Sequence, residues 1–167
     1  MLFDINWLTG TSLAEIALKN LIGSVVLMII LSGGSVDINA DVDKDDLQYL
    51  AGAMQIENGD NGDECLLLTG SVILNRLNSS KWNGNTIEEV IMAKDGGYWQ
   101  YASVTRKGFK TKKVTKRTKM LAKYLLIFGP ICPENVVYQG QRSTGSGEYK
   151  RIKVPGQKDE IFCYGTS

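Results

Sequence analysis

One carboxylate stands out by its spacing. Glu57 lies seven residues after Leu50 and three after Met54. On a helix that spacing aligns it with both, on the face turned to the core. Asn58-Gly59 follows at once, so Glu57 sits at a helix C-terminus, where the negative end of the backbone dipole disfavours ionisation. Apolar surroundings act in the same direction, towards a raised pKa. A carboxyl group that keeps its proton near neutral pH can deliver it to a leaving oxygen. The plainer reading of Glu57 is an exposed residue at a fraying helix end. The other close acids, Asp60 and Asp63, lie in a Gly-rich loop, and Asp63 is more simply a helix N-cap.

Other chemistries are excluded by composition. The chain has no histidine, which removes Ser-His-Asp and Cys-His catalysis, histidine-ligated zinc and histidine pH switching. The three cysteines (Cys65, Cys132 and Cys163) include no C-x-x-C pair, and no metal or cofactor site is expected.

The run Ala53-Met54-Gln55-Ile56-Glu57 is followed by a Gly/acidic loop, Asn58 to Glu64, and then by Val72-Ile73-Leu74-Asn75-Arg76. With this opening, the chain from Leu47 to Tyr164 resembles the SleB-type cell wall hydrolases, the spore-cortex-lytic family. Trp99-Gln100-Tyr101-Ala102-Ser103 is similar to the family's Gln-Phe segment, Asn135–Tyr138 to its aromatic strand, and Glu160–Cys163 to its closing strand. The resemblance implies an α+β, mainly α, lysozyme-like domain of the goose-type and lytic transglycosylase kind. It implies cleavage of the β-1,4 bond between N-acetylmuramic acid and N-acetylglucosamine, with Glu57 as general acid/base. In two places the chain departs from the family pattern: Glu160 stands where a histidine is usual, and Asn61 where a glutamate is usual.

On that reading the substrate is a peptidoglycan glycan strand, and either lytic transglycosylation or plain hydrolysis fits. Gln100, Tyr101 and Ser103, with Tyr138 opposite, are the expected sugar contacts. Asn75 is a further candidate, although Asn75 and Arg76 equally suit holding the Glu57 loop. Trp99 is expected to fill core; Trp82 suits either core or a sugar face. The alternative function is a non-catalytic wall-binding or phage virion component with the same fold.

These residues need elements to position them. The pattern predicts a helix over Asp45–Glu57, capped by Asp45 or Asp46, and an all-round apolar central helix over Asp63–Leu77. Gly70 and Ser71 in that helix leave room for a neighbour to approach. A capping box at Thr86/Glu89 starts a short helix to Ala93, and Asp95-Gly96-Gly97 forms a turn. A longer helix spans Thr115–Phe128, stopped by Gly129-Pro130. Short strands are expected at Asn135–Tyr138 and Glu160–Tyr164, with a Gly/Ser-rich loop (Ser143–Gly147) between them.

Residues 1–40 are read as a separate apolar segment and 41–167 as the catalytic domain. No charge lies between Lys19 and Asp37, and Leu21–Leu31 is strongly apolar. That run is short for a bilayer span of about 20 residues and suits a signal peptide, with Ile38-Asn39-Ala40 as cleavage site. An uncleaved anchor, a virion contact, a helix buried in a partner or simply a buried structural helix are the other readings. Export would permit a Cys132–Cys163 disulfide, while Cys65 suits a buried small hydrophobe.

Charge is polarised along the chain. Residues 1–100 hold 5 basic and 14 acidic residues, and 101–167 hold 14 and 4. Nine basic residues fall between Arg106 and Lys123. They suit anionic cell wall polymers, or a solvated face attracted to the acidic half. Phe109 is the lone aromatic among them, so specific nucleic-acid binding is not expected.

Overall fold

The all-round apolarity of the central helix has a direct structural cause: it faces two cores. The computed structural model describes residues 2–6, 12–82, 84–95, 97–101 and 113–166. Within it α3 (Asp63–Leu77) sends Leu66, Leu67, Ile73 and Leu74 into a large cluster with α2 (Lys44–Asn58) and α5 (Lys116–Phe128). Its Cys65, Leu68 and Val72 enter a smaller cluster with Cys132, Val136 and Phe162. Each fully buried Leu or Ile stabilises the fold by about 1.5–3 kcal/mol. Gly70 is where the helices come closest, since a Cβ there would run into Leu125 and lie 2.9 Å from Met54 Sδ.

The first elements are β1 (Leu2–Asp4), α1 (Leu13–Leu31) and β2 (Asp37–Asn39), with β1 and β2 paired in parallel. After α3 come α4 (Ile87–Met92) and the antiparallel pair β3 (Lys94–Asp95) and β4 (Tyr98–Trp99). A three-stranded antiparallel sheet closes the fold: β5 (Val136–Gly140), β6 (Glu148–Ile152) and β7 (Glu160–Tyr164), in the order β5-β7-β6. The architecture among the described residues is thus mixed α+β, with five helices and small sheets.

Several local expectations need correction. Helix α2 begins at Lys44, and its cap is Asp43, whose carboxylate accepts from the Asp45 and Asp46 amides at 2.9 Å each. The N-cap of α3 is Gly62, not Asp63, because the entry needs φ +85°. Asp63 instead pairs with Arg117. Strands β1, β2, β3, β4 and β6 are not among the expected elements. Strand β6 is mostly exposed and charged, which masks its alternation. The three cysteines are free and buried, so Cys132 and Cys163 are not joined.

Helix α1 packs on α5. Val26 and Ile30 are fully buried, Gly23 lies under Phe128, and the Tyr124 hydroxyl donates to the Gly23 carbonyl at 3.3 Å. Ile38, in the expected cleavage tripeptide, is buried and paired with Phe3. Arg117 fixes the far end. Its guanidinium donates to the Ile30 and Gly34 carbonyls as well as to Asp63, tying α1, α3 and α5 together. Replacing Arg117 with Ala is expected to cost about 2 kcal/mol, the scale of a charge-assisted bond left unmade. Lys restores little, lacking the planar fork. Urea denaturation of both variants checks this.

Candidate functional site

Glu57 occupies the last turn of α2, with Leu50 and Met54 fully buried on the same face, as the spacing requires. The carboxylate side chain is half-buried. The next residue locks the loop. Asn58 is buried, donates to Thr69 Oγ1 at 2.7 Å and accepts from Asn61 Nδ2 at 2.7 Å. Thr69 Oγ1 in turn donates to the Cys65 carbonyl at 2.8 Å. The Asn58 side chain also hydrogen-bonds the Glu160 carboxylate at the start of β7.

That last contact brings a second carboxylate to the site. Burial raises the Glu160 pKa, the charge of Glu57 raises it further, and the bond from Asn58 opposes both. Sequence spacing missed Glu160, which lies about a hundred residues from Glu57. Its signal was that it occupies the position where the resembled family has histidine. The carboxylates considered from sequence are placed elsewhere: Asp60 is exposed and Asp63 is engaged by Arg117.

A carboxyl group that binds its proton more tightly in the fold than in the unfolded chain favours folding at low pH. That contribution is lost as pH rises from the ordinary glutamate range through the raised value. Glu160→Gln cannot ionise. Its stability relative to wild type is therefore expected to grow across that window and to level off above it. Thermal denaturation at a series of pH values checks this, and a margin independent of pH would refute it.

Tyr101 forms the other side of the Glu57 environment. It is buried, and burial pushes its phenol pKa up, with Arg76 opposing and Glu57 adding to the rise. The Tyr101 hydroxyl has no hydrogen-bond partner among the described residues. The ring faces Arg76, whose Cζ lies 5.0 Å from its centroid and 4.1 Å from that of Trp82. Arg76 is itself buried and donates from Nε to the Val137 carbonyl at 2.7 Å and from Nη1 to Gln100 Oε1 at 3.4 Å. A β-bulge makes that carbonyl available. Val136 pairs with Tyr164 and Tyr138 with Cys163, so Val137 has no opposite residue in β7.

Beyond Arg76 lies a groove of about 780 Å³, walled by Trp82, Tyr138, Gln100, Asn75, Asn135 and Lys94, among others. Trp82 and Tyr138 meet edge to face with centroids 5.4 Å apart. Both are half-buried, presenting aromatic surface beside amide and hydroxyl groups. Asn75 is a positioning residue: its Nδ2 donates to the carbonyls of Pro133 (2.8 Å) and Val136 (3.0 Å). Asn75 and Arg76 therefore hold the 133–137 segment, and the loop after Glu57 is held by Asn58, Asn61 and Thr69.

Of the residues expected at a sugar site, Gln100, Tyr138 and Asn75 share this groove. Tyr101 is buried between Arg76 and Glu57 and is not among the groove's lining residues, nor is Glu57. Ser103 lies outside the described residues. Trp99, expected in the core, is 38% exposed, with Lys94 Nζ 4.1 Å from its ring centroid. Among the described residues no group of three or more Cys, Asp or Glu is arranged to hold a metal ion.

The arrangement can hold one carboxyl group against a second, partly shielded from water, with an aromatic and amide-lined groove joined to it through Arg76 and Tyr101. No family model, curated protein or solved structure matches the chain.

Proposed function

We propose that the chain is a peptidoglycan-cleaving glycosidase of lysozyme-like fold, with Glu57 as general acid and base. The supporting observation is the placement of Glu57, half-buried at the end of α2 beside Glu160 and Tyr101, with Tyr101 packed on Arg76, whose guanidinium donates to Gln100 in the groove of Trp82 and Tyr138. The resemblance of the Ala53–Glu57 and Val72–Arg76 runs to the SleB-type hydrolases points the same way.

In the proposed reaction Glu57 gives its proton to the bridging oxygen as the bond from C1 to that oxygen breaks. The C6 hydroxyl of the muramoyl sugar then attacks C1. Its proton passes to the Glu57 carboxylate, which restores the acid. The product is a 1,6-anhydromuramoyl end. Hydrolysis is the variant that a second carboxylate permits: water attacks C1 in place of the C6 hydroxyl, its proton passes to the Glu160 carboxylate, and exchange with solvent returns a proton to Glu57.

A second reading follows from the groove itself. Its lining does not include Glu57, which suits a wall-binding or virion component that grips glycan without cutting it. Mass spectrometry of muropeptides after incubation with purified cell walls separates these readings. Anhydro ends indicate transglycosylation and reducing ends hydrolysis; retention on the walls with no release indicates binding alone.

A further inference from the structure

A second hollow, of about 500 Å³, lies between α5 and the stretch that leads into β2, and the Glu57 site makes no use of it. Lys116, Lys119, Met120 and Lys123 line it from α5, with Ser35 and Val36 on the other wall. At 3.6 residues per turn the four α5 residues share an arc of about 100°, so they stand on one side of the helix. The three lysines carry charge that the fold does not offset. Among the described residues the ion pairs are Arg117 with Asp63, Lys150 with Glu64, and Arg151 with Glu148 and Asp159. Asp37 is the one carboxylate residue lining the hollow, and it belongs to none of these pairs. The acidic half of the chain therefore does not hold this lysine row.

The same hollow holds two donors with a poor acceptor. The Val36 amide donates to Met120 Sδ at 3.4 Å, and the Ser35 hydroxyl reaches the same sulfur at 4.0 Å. A thioether is a weak acceptor. Val36 is 3% exposed, and no stronger acceptor reaches its amide among the described residues. Three unpaired ammonium groups and two loosely engaged donors thus line one concavity, which is the chemistry of an anion site.

We propose that this hollow binds a linear polyol phosphate polymer, a phosphodiester chain of the teichoic type. A phosphate oxygen is a far better acceptor than a thioether. With Met120 turned aside, the Val36 amide and the Ser35 hydroxyl donate to it. Lys116, Lys119 and Lys123 are separated along the α5 axis by about 4.5 and 6 Å, so they meet successive phosphates and do not crowd one. Among the described residues no aromatic side chain lines the hollow, which leaves a nucleic-acid base nothing to stack on. The burial of Val36 favours a flexible chain that enters the hollow over a flat lipid surface. The proposal uses no part of the Glu57 site and is independent of the glycosidase reading.

Titration of the full chain with a short, lipid-free glycerol phosphate oligomer tests it. Binding is expected, with affinity falling about tenfold when the salt concentration is tripled, as three phosphate contacts on a flexible polyanion require. The Val36 amide resonance should shift as the oligomer saturates. Lys119→Gln/Lys123→Gln should remove most of the binding and about two thirds of its salt dependence. Lys153→Gln/Lys158→Gln, an equal loss of charge at exposed positions, should leave both unchanged. Absence of binding, an unmoved Val36 amide, or equal losses from the two double variants overturns the proposal. So does equal affinity for inorganic phosphate, or binding to single-stranded DNA or phosphatidylglycerol vesicles that matches or exceeds binding to the oligomer. None of these readouts involves muropeptide release, so this proposal and the glycosidase reading fail separately.

Discussion

Replacing Glu57 with Gln is expected to lower muropeptide release from purified walls by about 10²–10⁴-fold, the usual contribution of a positioned general acid. The amide matches the carboxyl in shape, so α2 and the Asn58 network should persist. The circular dichroism spectrum and melting temperature should stay close to those of wild type. Loss of release with the fold intact assigns the proton transfer to this side chain. Release at the wild-type rate removes Glu57 from the mechanism and leaves the wall-binding reading in its place. Glu160→Gln is the informative companion. Under the single-acid route it shifts the pH profile and spares most turnover, whereas under hydrolysis with two carboxylates it lowers turnover as well.

The largest effect on stability is expected from Arg76→Ala. The guanidinium is buried, bonds the Val137 carbonyl and Gln100, and is stacked between Trp82 and Tyr101. Its removal leaves a carbonyl at the bulge without its donor, at about 1–3 kcal/mol. It also removes two cation–π contacts, each worth about 0.5–2 kcal/mol. A total near 3 kcal/mol corresponds to a fall in melting temperature of roughly 10 °C for a chain of this size. Lys at this position keeps the charge but not the flat fork, and should recover little. Calorimetry of both variants measures this, and a fall below about 2 °C would show that the stack is not a structural centre.

Arg76 also shows where sequence reading reaches its limit. The helices were legible because their signals are local. Leu50, Met54 and Glu57 share a face by spacing alone, and the apolar run from Cys65 to Leu77 marks a helix buried on all sides. Strand β7 was legible for the same reason, since Ile161, Phe162 and Cys163 are all buried. Strand β6 was not, because its register comes from pairing with β7 and not from its own charged sequence. The site divides in the same way. Glu57 carries its position in the helix period, but Glu160 reaches it only because the sheet folds back onto α3. Tyr101 was readable as an aromatic but not as a buried one, since its depth is set by Arg76. Trp99 was misplaced because nothing in a two-residue strand indicates which side faces water.

The packing of α1 on α5 gives processing near Ala40 a particular cost. A peptidase cutting there would not trim a loose leader. It would lift away the cover over Tyr124 and Phe128, whose rings lie 5.1 Å apart under α1. The shortened chain would present that aromatic pair to water, and maturation would become an unmasking step that turns an interior seam into adhesive surface.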